Sequence, residues 1–103
     1  MVNQVDDATY PLAWVKQLFR QKHWFVTLTA QSSALDLGLD DEDIADCIMN
    51  CLTGAHFYKT MPAEKRPGLM QDVYRITYQG RCIYLKLQVS KENWAVVVSF
   101  KEE

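Results

Sequence analysis

Apolar residues recur in two different rhythms along this chain, and the change near Gly54 separates a helical half from a stranded half. From Tyr10 to about Lys22, the residues Leu12, Val15, Leu18 and Phe19 fall at helical spacing, and Pro11 suits a first turn. The apolar run from Trp24 to Leu28 reads as extended, after which Thr29 is placed to cap a short helix that stops at Gly38. Asp40 or Asp41 then caps a third helix with Ile44, Cys47, Ile48, Cys51 and Leu52 on one stripe. Asp41, Glu42 and Asp43 occupy the positive end of that helix dipole. That is reason enough for their presence, so the Asp40–Asp43 run is not read as catalytic carboxylates or a calcium loop.

Beyond Gly54 a polar loop containing Pro62 and Pro67 leads into three stretches rich in β-branched and aromatic residues, 73–78, 81–90 and about 95–101. They predict an antiparallel meander. The whole is expected to be one domain, residues 1–103, of α+β class, with N-terminal helices packed on one face of a C-terminal antiparallel sheet.

Alternation in the last two strands carries more detail. Ile83, Leu85, Leu87 and Val89 point one way and Tyr84, Lys86 and Gln88 the other; unbroken alternation sets Val96, Val98 and Phe100 against Val97, Ser99 and Lys101. Matching apolar to apolar across the hairpin permits a two-residue or a four-residue loop. A Lys91–Glu92 two-residue turn lacks the Gly or Asn such turns favour, so the four-residue loop is preferred. It places Tyr84 directly opposite Lys101 on the polar face, with Cβ atoms about 5 Å apart.

The formal net charge of −2 conceals an asymmetry: residues 1–51 hold three basic and eight acidic side chains, residues 52–103 eight basic and five acidic. A phosphate-binding face on the second half is compatible with this, and so is chance. The opening residues are polar and acidic, and no apolar segment is long enough to span a bilayer, so a soluble, cytoplasmic protein without membrane association is expected. Three cysteines without a CxxC pair read as buried thiols in a reducing compartment. With only His23 and His56, a zinc site would need an unusual ligand set, and no metal or cofactor is expected.

On the polar side of the sheet, Tyr84, Lys86 and Lys101 interleave aromatic and cationic character, and His56-Phe57-Tyr58-Lys59 stands just before the sheet. Cations for phosphates and aromatic planes for unstacked bases are how single-stranded RNA is commonly held. The same residues equally fit a solvated face whose lysines discourage edge pairing.

Five strings bear on that choice: Asp36-Leu37-Gly38-Leu39-Asp40, Phe57-Tyr58-Lys59-Thr60-Met61, Gln71-Asp72-Val73-Tyr74-Arg75, Tyr84-Leu85-Lys86 and Val98-Ser99-Phe100-Lys101-Glu102. In order and spacing they resemble the signature segments of the MqsR family, the motility and quorum-sensing regulator toxins, from about Phe25 to the C-terminus. The resemblance implies a RelE-like ribonuclease fold that cleaves messenger RNA at short GC-containing sites, inhibits translation and growth, and is neutralised by a cognate antitoxin of the MqsA type. It places the family's catalytic positions on Lys59, Gln71, Tyr84 and Lys101, and RNA contacts on Tyr58, Met61 and Arg75, with Lys86 beside them as a further substrate-binding residue. Departures from the family prototype are Met70 where it has a tryptophan, a longer final hairpin loop and an acidic overall charge.

A metal-free mechanism follows from these residue types. Attack by an RNA 2′-hydroxyl on its own phosphate needs alignment, charge neutralisation and a proton carrier. Lys59 and Lys101 would stabilise the phosphorane, one of them assisting deprotonation, while Tyr84 and Gln71 orient the phosphate. The rival from another class is a RelE-like module that binds RNA or an antitoxin without catalysis. Direct DNA binding is not expected, because no helix is basic along one face.

Overall fold

The computed structural model describes residues 7–103; the polar opening segment, residues 1–6, lies outside the described residues. Helix α1 spans Leu12–Arg20, followed by β1 (Trp24–Val26), α2 (Leu28–Asp36) and α3 (Asp41–Asp46). Four further strands complete the fold: β2 (Phe57–Pro62), β3 (Met70–Tyr78), β4 (Arg81–Val89) and β5 (Ala95–Glu102). They form one five-stranded sheet of order β1-β5-β4-β3-β2. The α+β class holds, with all three helices preceding β2–β5.

Local chemistry explains where each helix begins and ends. Pro11 is the N-cap of α1 rather than a residue of its first turn, and its carbonyl accepts from the Trp14 and Val15 amides at 2.9 and 3.1 Å. The helix stops at Arg20 because Lys22 turns left-handed (φ +64°), and the His23 amide donates back to the Leu18 carbonyl at 2.9 Å. Thr27, not Thr29, caps α2: its Oγ1 accepts from the Ala30 amide at 3.1 Å. Gly38 (φ +79°) closes that helix with the same reversed pattern. Asp40 and Asp43 form a reciprocal capping box at the start of α3, each carboxylate accepting the other's amide at 3.0 Å.

Helix α3 runs into a wide π turn, Cys47–Cys51, closed by the Leu52 amide donating to the Cys47 carbonyl at 2.9 Å. The extra residue per turn carries Cys51 off the apolar stripe, so it is exposed while Leu52 is buried. Lys16 donates to the Leu52 carbonyl at 2.7 Å, placing a cation at the negative end of that helix. The expectation of three buried thiols is corrected: only Cys47 is buried, its thiol pushed up to about 12 by burial, and Cys51 and Cys82 lie at the surface.

The sheet is larger than the expected meander and not wholly antiparallel. Strand β1 pairs parallel to β5, matching Trp24 with Ala95 and Val26 with Val97, and β2 adds an antiparallel edge beside β3. Strand β2 is poorly marked in the sequence because it carries Lys59, Thr60 and Pro62; at the last position of an edge strand the missing proline N–H is tolerated.

The hairpin joining β4 to β5 corrects a second expectation. Its loop is three residues, Lys91 to Asn93, with Asn93 left-handed (φ +65°) and the Asn93 amide donating to the Ser90 carbonyl at 2.9 Å. A bulge then shifts register between Lys86 and Leu87: Lys86 opposes Ser99, but Leu87 opposes Val97. The bulged Val98 keeps its carbonyl bonded, because Thr27 Oγ1 donates to it at 3.0 Å. One extra residue reverses the alternation before it, so Ala95 and Val97 face the helices and Val96 faces away, opposite to the simple reading, while Phe100 keeps the core side that reading gives it.

The core lies between the helices and one sheet face, where Tyr74, Ile83, Leu85, Leu87, Val97 and Phe100 meet Val15, Leu18, Ala30, Ile44 and Ile48. Two buried tyrosines carry a pH dependence. Burial pushes Tyr74 up to about 12, helped by the charge of Asp72, and burial together with the Asp46 carboxylate, which accepts the Tyr78 hydroxyl at 2.7 Å, raises Tyr78 above its ordinary value of 10. Their folded-state pKa values lie above the unfolded one, so their contribution to stability is complete below pH 10 and is lost as the pH climbs through about 12. Urea unfolding at neutral pH and at about pH 11 is expected to give a lower midpoint at the alkaline value.

Candidate functional site

The described helices cover one sheet face; on the other, the register arranges the side chains in rows across the strands. Arg75 on β3 opposes Tyr84 on β4, and Tyr84 opposes Lys101 on β5. Two residues along, Lys59 on β2 opposes Val73, Val73 opposes Lys86, and Lys86 opposes Ser99. A third row runs from Met61 through Gln71 to Gln88 and Val96, with the Gln71 amide donating to Gln88 Oε1 at 3.0 Å.

The expected meeting of Tyr84 and Lys101 is present. Lys101 Nζ lies 5.4 Å from the Tyr84 ring centre and Lys86 Nζ 5.9 Å from it, so one phenol is flanked by two ammonium groups. At the β2 edge a second aromatic plays the same part. A bulge between Phe57 and Lys59 leaves Tyr58 unpaired, and its exposed ring meets the Arg75 guanidinium at 4.8 Å and Lys59 Nζ at 5.4 Å.

Lys59 and Lys101 stand on strands three steps apart and in adjacent rows, about 16 Å between backbones, with Lys86 between them. Arg75 is further held by Glu103, Nε to carboxylate at 2.8 Å, and this hydrogen-bonded ion pair raises its pKa. Glu103 engages only Nε, which leaves the two terminal amino groups of the guanidinium for a phosphate. His56 is not at this centre: its Nδ1 accepts from the Thr53 amide at 3.0 Å and caps the short turn Gly54–His56.

Beside the cationic rows, a groove of about 780 Å³ crosses the open face. Gln71 and Lys86 belong to both regions; the rest of its lining includes Phe25, Gln88, Trp94 and Val96, which were not singled out as functional in the sequence. Val96 was hidden by the bulge, since an unbroken alternation assigns it to the core. Phe25 and Trp94 could have been found only by knowing that β1 pairs with β5.

Among the described residues, no three His, Cys, Asp or Glu side chains group as metal ligands, and no helix is long and apolar enough to cross a membrane. Chemically, the face offers cations and hydrogen-bonding groups around a phenol, an arrangement suited to a polyanion carrying a reactive hydroxyl.

The sequence model of the family described as "Motility quorum-sensing regulator, toxin of MqsA" matches residues 7–102. The chain is also similar to the mRNA interferase toxin MqsR of Escherichia coli (strain K12), with 34% identity over 92 residues that cover 89% of this chain and 91% of that protein. The match takes in all five strands and every residue of the three rows, and the chain belongs to the MqsR toxin family.

Proposed function

We propose that the chain is the toxin of a toxin–antitoxin pair, a cytoplasmic endoribonuclease that cuts single-stranded messenger RNA at short GC-containing sites and is restrained by an antitoxin of the MqsA type. The observation that carries the chemistry is the Tyr84 ring flanked by the Lys101 and Lys86 ammonium groups on the sheet face opposite the described helices. The scissile phosphate lies over this ring. Lys101 and Lys59 approach it from opposite sides and neutralise the charge that builds on the phosphorane, while Tyr84 holds the phosphate in line and Gln71, two rows along the strands, orients the RNA strand beside it.

The ribose 2′-oxygen forms a bond to phosphorus as the P–O5′ bond breaks. One lysine assists removal of the 2′-hydroxyl proton, and the other delivers a proton to the departing 5′-oxygen. No cofactor enters this scheme. The products are a 2′,3′-cyclic phosphate and a 5′-hydroxyl. Tyr58, Met61, Arg75 and Lys86 line the path of the strand and bind its flanking phosphates and bases.

The test is incubation of the purified protein with a defined single-stranded RNA in excess EDTA, with sequencing of the fragment ends. Cleavage at a short recurring motif, leaving cyclic phosphates, is expected. Intact RNA from a well-folded protein would instead favour a binding module without catalysis.

A further inference from the structure

Two large rings stand unexpectedly free at the end of the sheet: Phe25 is 49% exposed and Trp94 37% exposed, with centres 6.5 Å apart and planes tilted by 51°. Neither packs into the core cluster. Trp94 is nevertheless held in place, since its amide donates to Ser90 Oγ at 3.1 Å, its carbonyl accepts the Ser90 amide at 2.8 Å, and the His23 ring lies 5.0 Å away. Both rings line the groove that runs up to Gln71 and Lys86.

The groove's polar groups are as specific as its rings. Gln71 Nε2 donates to Gln88 Oε1 at 3.0 Å, which leaves Gln71 Oε1 as an acceptor and the Gln88 amide hydrogens as donors for a ligand edge. Around the rim, Lys65 and Arg66 are offset by Glu64 and Glu92. A balanced rim suits a neutral base, whereas the rows beyond Lys86 are cationic and suit phosphates. From Tyr84 to Gln88 is about 13 Å along β4, so a strand whose phosphate lies on Tyr84 reaches the groove with a neighbouring nucleotide.

We propose that this groove is a nucleobase subsite: it takes one unstacked base of the RNA next to the cleaved phosphate, stacked on Trp94 and Phe25 and read at its hydrogen-bonding edge by Gln88. The proposal rests on the ribonuclease reading and adds the residues that choose the sequence. Because Gln71 is bonded to Gln88, a correctly read base also fixes Gln71, and with it the course of the strand toward Tyr84, which ties recognition to cutting.

Two variants test it. Trp94→Ala is expected to lower kcat/KM on single-stranded RNA by about tenfold or more, and to weaken binding of a short non-cleavable 2′-O-methyl RNA by a similar factor. Gln88→Glu keeps an oxygen to accept from Gln71 but replaces the free donor with an acceptor. It is expected to change the base found beside the cut in sequenced fragment ends while cleavage persists. Unchanged binding and kcat/KM in Trp94→Ala, together with unchanged fragment ends in Gln88→Glu, would overturn the subsite. If the wild-type protein binds RNA but does not cut it, the ribonuclease reading fails, and the 2′-O-methyl RNA decides the groove alone: weaker binding by Trp94→Ala supports it and equal binding overturns it.

Discussion

The Lys101→Ala protein is expected to fold normally and to cleave RNA about 10²–10³-fold more slowly, with the loss falling mainly on kcat. Lys101 is exposed near the end of β5, where its ammonium meets the Tyr84 ring at 5.4 Å, so removing the ammonium leaves no buried partner unsatisfied. A surface substitution of this kind shifts stability by no more than about 0.5 kcal/mol. What it removes is positive charge where the phosphorane gathers negative charge, which matters more in the transition state than in the bound substrate. Lys59→Ala is expected to act in the same direction from the other side of the face. The double variant should lose less than the product of the two single effects, because the lysines act on one phosphate. Rates from single-turnover cleavage, with circular dichroism to check the fold, decide the matter. Wild-type rates in both single variants would remove these lysines from the mechanism.

Asp72→Ala is the substitution expected to cost most in stability, about 3 kcal/mol, or of the order of 15 °C in Tm. Asp72 is 1% exposed and points into the helix-facing side of β3. Its two carboxylate oxygens accept the amides of Thr9 and Tyr10 at 2.9 and 2.8 Å, and Tyr10 also donates its hydroxyl to the Met70 carbonyl at 2.7 Å. Together these bonds tie the segment before α1 to the sheet. Alanine leaves two partly or fully buried amides without an acceptor. Asp72→Asn keeps one oxygen acceptor and should lose less. Thermal and urea unfolding measure both, and a Tm within about 3 °C of wild type for the alanine variant would show that the clamp contributes little.

Asp72 also marks a limit of reading from sequence. It sits inside one of the strings that carry the family resemblance, beside Gln71, yet nothing local distinguishes a strand aspartate at the surface from one that clamps a segment more than sixty positions away. Thr27 is similar: as an N-cap it obeys a local rule that also fits Thr29, and what separates them is the bond from Thr27 Oγ1 to the Val98 carbonyl on a strand far along the chain. The catalytic candidates were more legible. Tyr84 and Lys101 were expected opposite each other and are, because the bulge and the shorter loop offset each other at that end of the hairpin.

Features set by neighbours a few residues apart were legible in the chain alone: the three helices, an aspartate cap for the third at Asp40 or Asp41, the β3–β4–β5 strands, and a polar face bearing Tyr84, Lys86 and Lys101. Periodicity and capping are local, and the family strings report residues rather than their distances. Long-range pairing sets the rest: β1 lies parallel to β5, β2 closes the other edge, and a bulge at Val98 turns Val96 outward. Those choices depend on pairing between segments tens of residues apart, where closing the loops costs entropy and the return comes from long-range burial and ladder hydrogen bonds that no short window of sequence contains.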